Sequence, residues 1–270
     1  MDDAPQRIVC LTEETTETLY RLGEADRIVG ISGFTVRPAE ARKEKPKVSA
    51  FTSAKIGRIL ELEPDLVLGF SDMQADIAAE LIRAGVEVYV FNQCSIAGIL
   101  AMIRRLGGLI GAPDNADALV HELEQGMERA RREAAGLPRT PRVYFEEWDD
   151  PMITGIGWVH ELIAIAGGED CFPERASRAD AASRIIAEPD EVIAAAPDLI
   201  IGSWCGKRFR AEKVAARPGW GAIPAVRDGH LYEIKSADIL QPGPAALTDG
   251  LEQLATCIRS AALGKGGNHE

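Results

Sequence analysis

The sequence predicts an α/β protein of two similar lobes, each with a parallel-type sheet, joined by one long α-helix. Three observations lead to this prediction. The segment PDLVLGF at 64–70 recurs as PDLIIGSW at 197–204. The starts of the two halves also match, and an amphipathic helical stretch lies between them.

Each copy of the repeated segment reads as a buried strand, because it is a short apolar run bounded by Pro and Gly. A short apolar helical stretch precedes each copy, ILELE at 59–63 and VIAAA at 192–196. The beginnings of the halves, RIV at 7–9 and RVY at 142–144, each open a strand that leads through a polar loop into a helix. In each half the repeated segment follows the first strand at nearly the same distance along the chain. This favours two lobes with the same βα arrangement.

Strands alternate with helices in each half, which favours parallel sheets covered on their faces. We expect strands near 7–11, 27–31, 65–70, 86–91, 142–146, 198–203 and 230–234.

The stretch at 115–138 predicts a single long helix. Leu119, Leu123, Met127 and Ala130 recur at spacings of three and four residues and form one apolar stripe. Gly136 and Pro138 would end the helix. We therefore predict an N-terminal lobe at 1–113, an inter-lobe helix at 114–138, a C-terminal lobe at 139–262 and a disordered tail at 263–270.

Composition excludes several classes of function. The net charge of −12 argues against nucleic acid as a partner, because phosphates would be repelled. No apolar run approaches about 18 residues, so we expect no membrane span. The five cysteines include no CxxC pair and the four histidines are scattered, which favours neither a disulfide framework nor a metal site. We expect no cofactor and a monomer.

The first residues, MDDAPQ, contain neither the basic region nor the apolar region of a secretion signal. The sequence as written therefore leaves a cytoplasmic location open.

Ligands of parallel sheets bind beyond the carboxyl ends of the strands, and unusual side chains collect there in this sequence. In the first lobe the candidates are Thr12, Glu13 and Glu14 after the first strand, and Phe70 and Ser71 after the repeated strand.

In the second lobe an acidic loop supplies Glu147, Trp148 and Asp149, and Trp204 follows the repeated strand. Two further candidates complete the set: Trp158 at the start of the next helix, and Arg208, whose charge suits a ligand carboxylate or phosphate. If the lobes face one another, these residues line one cleft between them. Aromatic faces with a few polar groups suit a large, flat or amphipathic ligand that bears donors or positive charge.

The order of these motifs resembles a known family. They are RIVCLTEETTETLYRLG with DRIVGIS, ILELEPDLVLGF, the single long helix, and PDLIIGSW followed by RPGWGAIPAVRDGHLYEI. The chain resembles the class III substrate-binding proteins of ABC importers, of the vitamin B12/ferric-siderophore (BtuF-like) type. The resemblance implies a ligand held between two lobes, a periplasmic location, and one surface acid on each lobe that docks the permease. By position those acids are Asp76 and Glu212, and Phe70 corresponds to the family's aromatic residue after the strand.

The favoured hypothesis is a non-enzymatic protein that binds a corrinoid-like metal chelate and delivers it to an ABC importer. A ferric-siderophore or haem binder of the same fold is the alternative within this class. A cytoplasmic chelatase-like or tetrapyrrole-modifying enzyme is the alternative from another class, and it would require His160 and Glu147 to converge. A cytoplasmic binding or sensing protein that lost its importer is a third hypothesis.

Overall fold

The computed structural model describes residues 4–178 and 180–264. The chain divides into two compact units. Unit 1 comprises Met1–Leu123 and Gln241–Ala245, and unit 2 comprises Glu124–Leu240 and Ala246–Glu270. The return of Gln241–Ala245 to unit 1 has no counterpart in the sequence prediction. Of the tail predicted at 263–270, residues 265–270 lie outside the described residues.

Unit 1 is a parallel five-stranded sheet with helices in its connections. Its strands are β1 (Ile8–Cys10), β2 (Ile28–Ser32), β3 (Lys47–Ser49), β4 (Leu66–Phe70) and β5 (Val88–Phe91). Its helices are α1 (Glu13–Arg21), α2 (Ala39–Glu44), α3 (Ile56–Glu61), α4 (Ala75–Arg83) and α5 (Ile96–Leu109), with short 3-10 turns at Ala25–Arg27 and Asp72–Gln74.

The strand order of unit 1 is β3-β2-β1-β4-β5, and every neighbouring pair is parallel. The three residues of β1 are fully buried, as expected for a central strand whose two faces are both covered. The order reverses between β1 and β4, where Ile8 pairs with Leu66 and Cys10 with Leu68. Loops diverge at such a switch point, so the carboxyl ends of β1 and β4 are where a ligand crevice is expected.

Helix α6 (Pro113–Ala134) confirms the long helix predicted at 115–138, although it ends earlier. Leu119, Leu123 and Met127 are buried along it, so the apolar stripe packs inward. The division between the two units falls within this helix, after Leu123.

Unit 2 is a mixed sheet. Its strands are β6 (Arg142–Asp149), β7 (Met152–Thr154), β8 (Glu169–Asp170), β9 (Leu199–Gly202) and β10 (Leu231–Glu233). Its other helices are α7 (Gly157–Ile165), α8 (Pro173–Ala176), α9 (Pro189–Ala195), α10 (Ala211–Ala215), α11 (Pro224–Arg227), α12 (Ser236–Ile239) and α13 (Leu251–Ala262). Short 3-10 turns lie at Ala182–Arg184 and Trp220–Ala222, and a π-helical turn at Ala246–Gly250 precedes α13.

The sheet of unit 2 has the order β10-β9-β6-β7, and β8 also pairs with β6. Strand β9 runs parallel to both β10 and β6, and β8 runs parallel to β6. Strand β7 is antiparallel to β6. The fold class predicted from the sequence, α/β with parallel-type sheets, is confirmed, with β7 as an antiparallel addition.

The acidic stretch after the first strand of unit 2 differs from its prediction. Strand β6 was expected to end near 146, with a loop following. It instead continues to Asp149 and turns back through β7, with Trp148 paired to Ile153 and Asp149 to Met152. The backbone bonds of this hairpin hold Trp148 and Asp149 on a strand end rather than in a free loop.

No helix within residues 4–178 and 180–264 combines the length and apolar character that a membrane crossing requires.

Candidate functional site

The carboxyl edge of unit 1 begins with the turn from β1 into α1. Thr12 is the N-cap residue of α1, and Glu13 and Glu14 form its first turn. All three are buried. Two carboxylates at a helix N-terminus are favoured by the helix dipole, but their burial removes them from water.

Glu13 and Glu14 accept hydrogen bonds from within unit 1. Oε1 of Glu13 accepts from the backbone N–H groups of Val36 at 3.2 Å and Arg37 at 2.7 Å. Oε1 of Glu14 accepts from the hydroxyl of Thr12 at 2.6 Å. Burial raises the pKa of Glu13 to about 8 and that of Glu14 to about 7, and the hydrogen bonds oppose this rise.

Glu17 lies one turn further along α1 and extends the carboxyl cluster. Its Oε2 accepts from the backbone N–H of Ala245 at 3.1 Å, and its Oε1 lies 3.5 Å from Nε of Arg37. Burial raises the pKa of Glu17, and Arg37 opposes the rise. These carboxyl groups therefore hold the loop after β2 and the segment Gln241–Ala245 against α1.

Phe70 ends the neighbouring strand β4 and Ser71 follows it, and both are half-buried. The buried side chain of Gln74 fixes this end of the strand. Its Oε1 accepts from the N–H of Phe70 at 2.9 Å, and its Nε2 donates to the carbonyl of Phe51 at 2.9 Å and, more distantly, to that of Leu11 at 3.4 Å. One amide thus connects the end of β4 to the chain segments that follow β1 and β3.

Exposed apolar side chains follow two strands of unit 1. Phe34 is 65% exposed and Val36 43% exposed after β2, and Met73 is 57% exposed after β4. Sequence reasoning missed all three, although the run GFTV directly after the strand DRIVGIS was a usable signal. Together with Phe70, these side chains give the accessible surface at the carboxyl edge of unit 1 an apolar character. The glutamates of α1 are buried and do not contribute to this surface.

In unit 2 the acidic residues of β6 are paired with cations. Glu147 forms two hydrogen bonds with Arg184, from Nη1 to Oε2 at 2.5 Å and from Nη2 to Oε1 at 3.1 Å. The Arg184 residue is only 2% exposed, and its Nη1 also donates to the carbonyl of Thr154. Glu147 therefore compensates a buried positive charge, which leaves it less capacity to bind a ligand.

Trp148, Asp149 and Lys207 form a second group at the end of β6. Nζ of Lys207 lies 2.5 Å from Oδ1 of Asp149 and 4.7 Å from the ring centroid of Trp148. Trp148 is half-buried and its Nε1 donates to the carbonyl of Asp150 at 2.9 Å. The sequence indicated Trp148 and Asp149 but not Lys207.

Trp204 and Trp158 are core residues of unit 2. Trp204 is 4% exposed, packs edge-on against Phe209 and donates from Nε1 to Oε1 of Glu146 at 3.0 Å. Trp158 is 3% exposed and donates from Nε1 to the carbonyl of Ile239 at 2.8 Å. Contact of either side chain with a ligand stays a prediction.

The remaining candidates lie on the surface. Arg208 is exposed after Trp204, and Asp76 and Glu212 are exposed on α4 and α10. Their exposure is compatible with ligand or partner contact, and their roles stay predictions.

His160 and Glu147, which the chelatase-like hypothesis requires to converge, have other partners. Nδ1 of His160 lies 3.0 Å from Oδ2 of Asp170, which raises the pKa of His160 against the opposing effect of burial. Glu147 is bound to Arg184 instead. Across residues 4–178 and 180–264, no group of three or more His, Cys, Asp or Glu side chains is arranged to hold a metal ion.

The chain is similar to several known proteins. The chain is 26% identical to the uncharacterized ABC transporter substrate-binding lipoprotein YvrC of Bacillus subtilis, over 94% of this chain and 80% of that protein. It is 25% identical to the vitamin B12-binding protein of Vibrio campbellii, over 88% of this chain and 84% of that protein. The solved structure of the periplasmic heme-binding protein RhuT from Roseiflexus sp. RS-1 matches with a TM-score of 0.82 at 24% identity. That match covers 95% of this chain and 99% of that chain, and at this identity the likeness concerns the fold. Residues 8–237 match the family described as Periplasmic binding protein, and the chain belongs to that family.

Proposed function

We propose that the protein binds a corrinoid-like metal chelate of the cobalamin type and delivers it to an ABC importer. The names of its relatives support the two halves of this proposal. Relatives at 25% identity are called vitamin B12-binding or cobalamin-binding proteins, and YvrC is called an ABC transporter substrate-binding protein.

The observation that carries the proposal is the apolar carboxyl edge of unit 1. Phe70 ends β4, and Phe34 and Met73 follow β2 and β4, at the edge where parallel sheets bind ligands; the strand order reverses between β1 and β4. Aromatic and methionine side chains accessible at this edge suit a flat ligand with apolar faces. A corrinoid ring has such faces.

Unit 2 would contribute Trp148 and the charged groups around it. A half-buried indole at a strand end supplies a stacking surface, and Arg208 supplies charge for a ligand phosphate or carboxylate. The cleft between the lobes that the sequence predicts stays a prediction.

Delivery requires a permease that recognises the loaded protein. Asp76 and Glu212 are our candidates for contact with arginines of such a permease, since each is an exposed acid on a helix. We propose that this step occurs in the periplasm and that the protein catalyses no reaction.

A haem or ferric-siderophore ligand is the second candidate. The fold shared with heme-binding RhuT supports it, because this chain resembles both a protein named for heme and relatives named for vitamin B12. The same exposed apolar edge serves either ligand, so the choice between them needs a direct measurement.

The test is binding of a panel of chromophores. Purified protein is mixed with cyanocobalamin, cobinamide, haemin or a ferric siderophore, passed through a desalting column and examined by absorbance. We expect cyanocobalamin or cobinamide to co-elute at one molecule per chain and to raise the melting temperature. The absence of every chromophore from the protein fraction would remove the proposal.

Variants connect the binding to unit 1. Phe70→Ala and Phe34→Ala are expected to weaken binding about tenfold each, as loss of an aromatic contact commonly does. Ile82→Ala is the matched control, because Ile82 is 60% exposed and lies in the last turn of α4, not in a segment directly after a strand. Equal affinity in all three variants would contradict the placement of the ligand.

A further inference from the structure

The side chain of Lys207 lies between two tryptophans. Its Nζ is 4.7 Å from the ring centroid of Trp148 and 5.1 Å from that of Trp204. The same ammonium group forms an ion pair with Asp149 at 2.5 Å. A cation with two indole rings within 6 Å and a carboxylate beside it has the surroundings that proteins use to bind organic ammonium ions.

The two rings are fixed by hydrogen bonds that do not use Lys207. Nε1 of Trp148 donates to the carbonyl of Asp150, and Nε1 of Trp204 donates to Glu146. Glu146 is held in turn by two hydrogen bonds from Arg217. The rings would therefore keep their positions if Lys207 moved away.

Lys207 is the most exposed member of this group. Its side chain is 43% exposed, whereas Trp204 is only 4% exposed. It reaches the rings through a tight turn in which its backbone N–H bonds the carbonyl of Trp204 at 3.3 Å, with Gly206 at a φ of +74°. A long flexible side chain at the end of such a turn can swing into solvent without disturbing the sheet.

We propose that Trp148, Trp204 and Asp149 form a binding site for an organic cation, and that Lys207 occupies it as an internal substitute until a ligand's ammonium group displaces it. The chemical class is a primary or quaternary ammonium group on a small molecule or on part of a larger ligand. The indole faces attract positive charge and Asp149 balances it, so an anion would be disfavoured once Lys207 has left. This inference depends only on contacts within unit 2 and does not require the chelate of the proposed function.

The test uses tetramethylammonium chloride as the probe. Binding is followed by tryptophan fluorescence and by calorimetry at constant ionic strength, with sodium chloride as the matched salt. We expect Lys207→Met to bind tetramethylammonium at least tenfold more tightly than the wild type, because the internal competitor is gone. Lys213→Met, which removes an exposed lysine of α10, is expected to leave the affinity unchanged.

Second substitutions identify the site. In the Lys207→Met background, Asp149→Asn is expected to weaken binding several-fold, and Trp148→Leu to abolish it, whereas Trp148→Phe keeps an aromatic face and part of the affinity. Melting curves establish that each variant is folded. The proposal is overturned if Lys207→Met binds no more tightly than the wild type, or if Trp148→Leu retains the affinity of its parent.

The two proposals fail independently. The chromophore panel, repeated on the wild type and on Lys207→Met, reports on the chelate without reference to tetramethylammonium. A positive panel with no gain in cation binding would overturn the cation site alone.

Discussion

Glu146 and Arg217 form a doubly hydrogen-bonded ion pair in the core of unit 2. Nη1 of Arg217 lies 2.5 Å from Oε2 of Glu146, and Nη2 lies 2.9 Å from Oε1. Glu146 is fully buried, and its carboxylate also accepts from Tyr144 and Trp204, each at 3.0 Å. The pair therefore holds the indole of Trp204, which is one of the two rings of the proposed cation site.

Removal of one member of this pair should be strongly destabilising. Arg217→Met leaves the carboxylate of Glu146 buried without its counter-charge, and we expect a loss of about 3–5 kcal/mol in the free energy of unfolding. Urea titration followed by circular dichroism measures it.

The double variant Glu146→Gln, Arg217→Met should recover part of that loss, because no buried charge remains. Arg227→Met is the control, since Arg227 pairs with Asp228 at the exposed surface and should leave the urea midpoint unchanged. A wild-type midpoint in Arg217→Met would show that the ion pair is not needed for stability.

The buried carboxyl groups of α1 predict how stability depends on pH. Burial raises the pKa of Glu13 to about 8 and that of Glu14 to about 7, both from the ordinary pKa of 4.5 for a glutamate side chain. A carboxyl whose folded pKa is raised contributes its full stability below about pH 4.5, where it is protonated in both states. That stability is lost as the pH rises towards 8, because only the unfolded chain ionises freely.

We therefore expect the protein to be less stable at pH 8 than at pH 5.5, by on the order of 5 kcal/mol for the two groups together. Glu14→Gln should flatten this dependence and be more stable than the wild type at pH 8. Urea unfolding across this pH range is the measurement, with the exposed Glu80→Gln on α4 as the control. If the wild type were more stable at pH 8 than at pH 5.5, the assigned shifts would have the wrong sign.

The repeated strands were predictable because their signal is local. A short apolar run bounded by Pro and Gly specifies a buried strand wherever it occurs, and both copies became central or near-central strands, β4 and β9. The long helix α6 was predictable for the same reason, from the spacing of its apolar residues.

The partners of the acidic residues were not predictable, because they come from distant parts of the chain. Glu147 pairs with Arg184, which lies 37 residues away in the sequence. Asp149 pairs with Lys207, 58 residues away, and Glu146 pairs with Arg217, 71 residues away. Sequence alone could not distinguish a solvated acid from one that balances a buried arginine. The burial of Trp204 and Trp158 is likewise decided by tertiary contacts with Phe209 and the carbonyl of Ile239.

Gly202, the last residue of β9, has a packing reason in the structure. A Cβ atom at Gly202 would lie 1.8 Å from the ring of Phe209, which packs edge-on against Trp204 with ring centroids 5.0 Å apart. Gly202→Ala must therefore displace Phe209, and we expect it to destabilise unit 2 by about 1–3 kcal/mol.

Gly221→Ala is the matched control for that substitution, since nothing lies within 4 Å of a Cβ atom there. Thermal unfolding followed by near-ultraviolet circular dichroism reports both stability and the environment of Trp204. Equal melting temperatures for the two alanine variants would contradict the predicted collision.

Gln74 supports the carboxyl edge of unit 1 through backbone hydrogen bonds. It is fully buried, accepts from the N–H of Phe70 and donates to the carbonyl of Phe51. Gln74→Met keeps the volume but leaves these backbone groups without their partner, at a cost of about 1–3 kcal/mol. We expect the amide of Phe70 to lose its protection from hydrogen exchange.

The control for Gln74→Met is Gln253→Met, which removes a half-buried amide of unit 2 that donates to Asp238 and to the carbonyl of Asp249. That variant should leave the protection of the Phe70 amide unchanged. Because Phe70 is one of the side chains assigned to the ligand, chelate affinity should fall in Gln74→Met and not in Gln253→Met. Unaltered exchange at Phe70 in Gln74→Met would mean that β4 holds its end without the glutamine, and the loss of affinity would then need another cause.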